Sequence, residues 1–357
     1  MKMKKILVLL VAFAMILGLV GCGSKTNTET AKVEDSKTEA DVKAETEEVK
    51  TITFAHVSAE TTSTHQAALK FKEVVEANSK GQLVVNVYPT GQLGGDRELI
   101  ENTQNGSITA MVSSPAPQVN FVKSATIFDA PFVFEGLEHG RAVLGDPEFM
   151  DAIGNEYAAA GFHYMGASGQ GFRTLTTNKR ITTLEQLKGL TIRTMENKYH
   201  MQTWSLLGAN PTPLTFNELY TALQQGTVEA QENPIELVHA QKFYEQQKYI
   251  VDTNHILQVN TWIINKDFYD GLSDELKAVV DDAGKQAVEV ANRVNDEKGP
   301  EYVKVIEDYG TEFVEIPKEE KDKIIEAVKP VYEEIKAATA PTVYDTYFTA
   351  IEKYKTK

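Results

Sequence analysis

The chain reads as an α/β protein built in two similar-sized lobes, and three features of the sequence predict this. Short apolar runs alternate with amphipathic helical segments between Thr51 and Ser114. A second round of the same alternation begins near Gly171. After both comes a helical pattern far longer than anything in either round. Strand and helix alternating at short intervals point to βαβ units around a largely parallel sheet. The length, 357 residues, suits two compact domains or one large one.

The first fifty residues stand apart from that pattern. MKMKK supplies a positively charged start, and Ile6 to Val20 form an apolar run that ends at Leu19-Val20-Gly21-Cys22. The run fits a signal segment better than the roughly twenty residues of a membrane-spanning helix. Its end resembles the lipobox of bacterial lipoproteins, so residues 1–22 are expected to be a lipoprotein signal peptide with Cys22 as the lipidated residue. Cys22 is the only cysteine, which excludes a disulfide, a thiol nucleophile or a cysteine metal site from the rest. Residues 23–50 lack aromatics and nearly all large aliphatics. They cannot bury enough apolar area to offset chain ordering, and a disordered tether is expected there.

The folded part begins at Thr51. ITFAHV is strand-like. THQAALKFKEVVEANSKG places Ala68, Phe71, Val74 and Val75 on one helical face and stops at Gly81. LVVNVYP is a second strand, GGDRELIENTQNG a helix ending at Gly106, and ITAMVSS a third strand. In the second round FRTLTTN and LTIRTM are strands, Thr183 to Lys188 is one helical turn, and Asn197 to Leu207 is a helix. Thr215-Phe216-Asn217-Glu218 fits a capping box opening a helix that Gly226 ends. Thr227 to Asn233 is then a short strand closed by Pro234, which can begin a helix where its missing N–H costs least. VNTWIINKDFYDGL is strand-like and then turns. The long helical pattern from Ser273 to Gly310 should kink or break at Gly299-Pro300. TEFVEIP is a last strand, followed by a helical region from Lys318 towards Tyr354.

A formal net charge of −15 argues against nucleic acid as the partner. No HExxH, GxSxG, P-loop or GxGxxG motif is present, and the seven histidines show no metal-ligand spacing on a helix, so no enzyme, cofactor or metal site is expected. His56 sits at a strand end, where α/β folds place ligands. Arg173 and Arg193 lie inside apolar strand-like runs. A long cation there needs an anionic partner, either an internal acid or a ligand carboxylate gripped by the guanidinium fork. Spacing alone does not choose between them.

Four separated blocks carry a resemblance to a known family: YPTGQLGGDRELIENTQNG, GFRTLTTNKRITTLEQLKGLTIRTMEN, LGANPTPLTFNELYTALQQGTVEAQENP and KFYEQQKYIVDTNHI. The chain resembles the DctP-like solute-binding proteins of TRAP transporters, in lipoprotein form. The resemblance implies a two-lobed periplasmic-binding-protein-like fold (type II-like), each lobe a mixed β-sheet flanked by helices, with one long helix along both. Lobe one would take 51–170 and 259–298, and lobe two 171–258 and 299–357. A small organic acid would bind in the cleft and pass to the TRAP membrane subunits, with no enzyme activity. By resemblance Arg193 holds the ligand carboxylate, Asn233 also contacts it, Arg173 is a second cleft arginine, Phe216 lies against the ligand, and Asp96 sits near its far end.

His56, Ser113, Ser114 and Gln170 would add neutral or weakly basic groups. Ser114 stands where sialic-acid-binding members carry a glutamate, which counts against sialic acid. The hydroxyl- and amide-rich set favours a sugar acid such as a uronate, with a C4-dicarboxylate next. A ligand-presenting sensor and an extracytoplasmic enzyme are the alternatives. The lipobox implies a protein anchored outside the cell membrane, and a monomer is the default state.

Overall fold

The structure is a computed structural model that describes residues 49–355. The expected signal segment, Cys22 and nearly all of the tether lie outside those residues. The described residues form one compact unit. Its strands are β1 (Lys50–Ala55), β2 (Leu83–Tyr88), β3 (Ala110–Ser113), β4 (Phe162–Thr177), β5 (Thr191–Thr194), β6 (Asn210–Pro213), β7 (Ala230–Asn233), β8 (Tyr249–Asn265) and β9 (Glu312–Val314). Its helices are α1 (Ser63–Asn78), α2 (Asp96–Gln104), α3 (Leu137–Leu144), α4 (Pro147–Ala159), α5 (Lys198–Leu206), α6 (Leu219–Gln224), α7 (Ile235–Ala240), α8 (Lys266–Asp270), α9 (Asp274–Tyr309), α10 (Lys318–Val328), α11 (Pro330–Ala338) and α12 (Pro341–Tyr354).

The strands join in the order β2-β1-β3-β8-β4-β7-β5-β6, with β9 on β8. Pairing is parallel within β2-β1-β3 and within β7-β5-β6, as the βαβ rhythm predicts. It is antiparallel where β8 and β4 join those two halves. The sheet is therefore mixed, and the fold is the two-lobed α/β arrangement.

The joining strands are the main departure from the sequence reading. FRTLTTN and VNTWIIN are only the ends of strands of 16 and 17 residues. The stretch Met165-Gly166-Ala167-Ser168-Gly169-Gln170-Gly171 has the small, Gly-rich composition of a loop. It remains in the ladder by bulging: register shifts fall at Tyr164/Gly166, Gly169/Phe172 and Arg173/Leu175. Gly166 and Gly171 adopt φ of 135° and 99°, which only glycine takes without strain. The bulges bend a strand without ending it, so one strand serves both halves.

Packing of the apolar faces follows the halves. Phe54, Phe71, Val75, Trp262, Val280, Ala283 and Ala287 form one core beneath α1 and α9. Leu175, Ile192, Trp204, Val251, Val314 and Ile324 form another on the β5–β7 side. Helix α9 contributes Val280 to the first and Ile306 to a further cluster with Leu219, Leu223, Val238 and Phe243. It thereby runs along both halves. Gly284 allows its close approach to β4: a Cβ there would lie 2.7 Å from the Cβ of Met165.

Two expectations need correction. Helix α9 continues for 36 residues through Pro300 instead of breaking. Buried residues on either side, Ala287 and Ala291 before and Tyr302 and Ile306 after, anchor it on both sides of the lost hydrogen bond. The C-terminal region is also split. Residues 299–357 were assigned to the second lobe, yet α12 packs Tyr347 and Ile351 with Phe128, Phe149 and Ile153 beside α3 and α4. The tail returns to the first half because its apolar face matches a surface that α3 and α4 leave open.

Pro300 is exposed and lacks the N–H that would reach the carbonyl of Asp296. Pro300→Ala is expected to stabilise the protein by about 1–2 kcal/mol, the helix gain less the loss of unfolded-chain restriction. Urea unfolding of both proteins checks this. A destabilised Ala variant would mean that the proline ring makes a needed contact.

Candidate functional site

Strand ends and helix starts from both halves converge on one cavity. From the first half come Val57 and Ser58 after β1, Thr64 of α1, Asp96 at the start of α2, and Val112, Ser113 and Ser114 at the end of β3. Gln170 and Arg173 come from β4, Arg193 and Met195 from β5 and its end, and Phe216 from the turn after β6. Asn233 ends β7, Leu237 lies on α7, and Gln258 and Asn260 are on β8. Asp96, Arg193, Met195 and Phe216 also line an adjoining groove of about 820 Å³.

Arg193 is 2% exposed, yet no carboxylate is hydrogen-bonded to it. Its Nε and Nη2 donate to the carbonyl oxygen of Leu214 at 3.0 and 2.7 Å, and its Nη1 is buried without a partner. The guanidinium carbon lies 6.0 Å from the centre of the Phe216 ring. Burial is the main cause that brings its pKa down to about 10, with the Arg173 charge adding to it, against Glu232, Asp96 and Glu218. A buried cation with an idle donor facing a cavity is one half of an ion pair.

Arg173 is the contrast. Its Nε and Nη2 both donate to the carboxylate of Glu232, the second at 2.7 Å, and it also reaches the Glu232 carbonyl and Gln258 Oε1. Of the two partners left open for the strand arginines, Arg173 has the internal acid. Burial alone would push the Glu232 carboxyl up, but Arg173, His200 and His255 hold it well below the usual carboxylate range. His255 Nε2 lies 3.0 Å from Glu232 Oε2. His200 Nε2 lies 3.0 Å from Asp129 Oδ1, and its Nδ1 is 3.9 Å from Glu232, an ion-pair distance without a hydrogen bond.

The structure brings Asp96, Ser114, Gln170, Arg173, Arg193, Phe216 and Asn233 to one cavity. His56 is not among its lining residues. It is buried behind Val57 and Ser58 with Nε2 3.2 Å from His65 Nδ1, and burial, followed by the His65 charge, lowers it to about 3. The strand end that carries it does face the cavity, but through its neighbours. Gln170 is held in place by Glu236 and by Asn260, whose Nδ2 donates to Gln170 Oε1 at 2.9 Å. Asn233 Nδ2 donates to Gln231 Oε1, and Gln231 Nε2 donates to Thr176 Oγ1 at 2.9 Å. The capping box at Thr215 and Glu218 forms as expected and sets the turn that carries Phe216.

Sequence reasoning missed the layer behind the cavity. Glu232, His200 and His255 are not among the residues expected at the site, yet the three gather beside Arg173. The one signal was the acid itself, sitting between Gln231 and Asn233 on a strand with no exposed position. Asn260, in the strand-like run VNTWIINKDFYDGL, and Gln258, just before that run, carried none. Among the described residues no group of His, Cys, Asp or Glu has metal-binding geometry.

The chain matches the family described as bacterial extracellular solute-binding protein, family 7, over residues 54–339. It is 31% identical over 258 residues to the C4-dicarboxylate-binding periplasmic protein DctP of Rhodobacter capsulatus, covering 72% of this chain and 77% of that one. Among solved structures it superposes on the sugar acid binding protein DctPAm of Advenella mimigardefordensis with galactonate. The TM-score is 0.82 at 29% identity, covering 86% of this chain and 99% of that chain. A TRAP periplasmic solute-binding protein of Polaromonas with bound D-erythronate gives a TM-score of 0.79 at 29% identity, covering 84% and 98%.

The layer behind the cavity makes a stability prediction. Burial opposes protonation of His200, but the hydrogen bond and charge of Asp129, with Glu232, outweigh it and raise its pKa from 6.5 to about 9. A raised value in the folded state means stabilisation that is complete below 6.5 and lost as pH rises through about 9. Stability of the unliganded protein should fall across that window by about 3 kcal/mol, and His200→Gln should flatten the slope. Chemical unfolding at closely spaced pH values measures it. A flat wild-type profile would contradict a charged His200.

Proposed function

The chain belongs to the bacterial extracellular solute-binding proteins of family 7, and on that premise we propose that it captures a small organic acid outside the cytoplasm. The acid's carboxylate occupies the idle side of Arg193. The cleft closes over it, and the loaded protein delivers it to TRAP membrane subunits. The observation that carries this reading is the Arg193 guanidinium, buried with its Nη1 unpartnered and hydrogen-bonded to no internal acid. Its Nε and Nη2 are tied to a backbone carbonyl, so the side chain is already oriented before ligand arrives. Asn233 offers an amide beside it, and Phe216 a ring face. A carboxylate that enters as water leaves would be held by a desolvated, charge-assisted pair. Closure of the two halves over the ligand is the motion such a cleft requires.

The rest of the lining supports a sugar acid as the ligand. Ser58, Thr64, Ser113, Ser114, Gln170, Gln258 and Asn260 are neutral hydrogen-bonding groups, suited to hydroxyls. Galactonate and D-erythronate in the similar structures agree with that choice. A C4-dicarboxylate is the second reading, favoured by the likeness to the Rhodobacter capsulatus protein. Attachment to the membrane through a lipid on Cys22 is part of the proposal and rests on the sequence before residue 23.

A thermal-shift panel of uronates, aldonates, C4-dicarboxylates and neutral sugars tests the reading. A ligand near a thousand times its dissociation constant should add about 4 kcal/mol of stability, a rise of several degrees. Arg193→Ala should cost about 2–5 kcal/mol in affinity for the acid that binds. Unchanged affinity in that variant would end the Arg193 assignment.

A further inference from the structure

Three charged side chains line the cavity, and they do not count equally. Arg173 is cancelled by both oxygens of Glu232. Arg193 is not cancelled by any direct contact. Asp96, from the other half of the fold, lines both the cavity and the adjoining groove and makes no salt bridge. The groove beyond it offers a second carboxylate little comfort. Glu196 and Glu218 line it, and its remaining cation, Arg97, is engaged by Glu101 at 3.1 Å and by Glu196. Burial raises the Asp96 carboxyl to about 6, with Arg193 opposing and Glu98 adding to the rise, so at pH 7.5 it is an anion.

We infer that Asp96 makes the site selective for ligand charge: it accepts hydroxyls from a polyhydroxy acid with one carboxylate and rejects the same carbon chain carrying a carboxylate at both ends. The inference rests on the carboxylate-at-Arg193 reading above. With Arg193 as the single uncompensated cation, one carboxylate is matched. A second would meet Asp96 and the two glutamates, with no cation to neutralise it. A sugar hydroxyl instead donates to Asp96, and its other lone pairs find the serine and amide groups. Specificity of this kind comes from an arranged repulsion as much as from a fitted contact.

Aldonates and aldarates test this directly, because each pair differs only in whether the terminal carbon is an alcohol or a carboxylate. Calorimetric titration at pH 7.5 with galactonate against galactarate, and gluconate against glucarate, gives the ratio. For the tighter pair the wild type should favour the monoacid by at least about a hundredfold, the scale of a like-charge contact of several kcal/mol. Asp96→Asn should narrow that ratio to within about tenfold. Asp96→Ser should do the same, because the selectivity lies in the charge of the side chain and not in its shape. A diacid that binds the wild type as tightly as its monoacid, or a ratio unchanged in both variants, overturns the selectivity while leaving the Arg193 anchor in place. No binding of any of the four acids, with none released on denaturation of the purified protein, overturns the anchor and the selectivity together.

Discussion

The salt bridge between Arg173 and Glu232 is the interaction on which the cleft depends. Both side chains are removed from solvent, at 1% and 0% side-chain exposure. Taking two ions out of water costs several kcal/mol for each, recovered only when geometry is close and the remaining donors and acceptors are filled. Here they are filled: Gln258 and the Glu232 carbonyl take the rest of the guanidinium, and His255 takes the carboxylate. Leaving either partner alone would strand a buried charge. The pair therefore ties β4, β7 and β8 together at the place where the two halves meet.

That tie has an electrostatic consequence at the cavity surface. Two arginines project from β4 and β5, on either side of β7, into one region, and two uncompensated cations there would repel each other and attract a doubly charged ligand. Because Glu232 answers Arg173, the cavity presents Arg193 as its one unpaired cation, together with the Asp96 carboxylate. Leu214 supplies a neutral acceptor that fixes the Arg193 fork without satisfying its charge. Preorganisation of this kind transfers desolvation cost to the folding of the protein, so that less is left to be met when ligand binds. Behind it, His200 and Asp129 extend the same polar layer to α5 and to the segment before α3. The packing that stabilises the fold and the polar layer that orients the binding face are thus one structure.

The halves are joined by elements whose continuity is itself a physical result. Bulges at glycine keep β4 paired with β8 through a bend that would otherwise end a strand. Packing on both sides of Pro300 keeps α9 continuous across a residue that usually ends a helix. Bulged strands carry fewer ladder hydrogen bonds at the bend than a regular ladder, which makes that region the natural place for the two halves to move against each other. The cavity lies beside it, with Asp96 contributed by one half and Arg193 by the other.

Local chemistry was legible in the sequence because it depends on neighbours in the chain. The alternation of strand and helix, the capping box at Thr215 and Glu218, the glycine stops and the two arginines inside strands all follow from spacing, while about half of the cavity wall was named only with the resemblance. What the sequence could not supply were the relations between distant segments. Gly166 to Gly171 was not recognised as strand, because only pairing with β8 shows that glycine bulges there. Pro300 looked like a break because only packing on two clusters offsets its lost hydrogen bond. His56 looked like a ligand contact, yet a one-residue change of facing turns it towards His65. Above all, Arg173 and Arg193 are the same residue type in the same kind of strand. Which one keeps its charge free was decided by the acid that folding brings beside it, because the partner of a buried charge is set by three-dimensional proximity and not by sequence spacing.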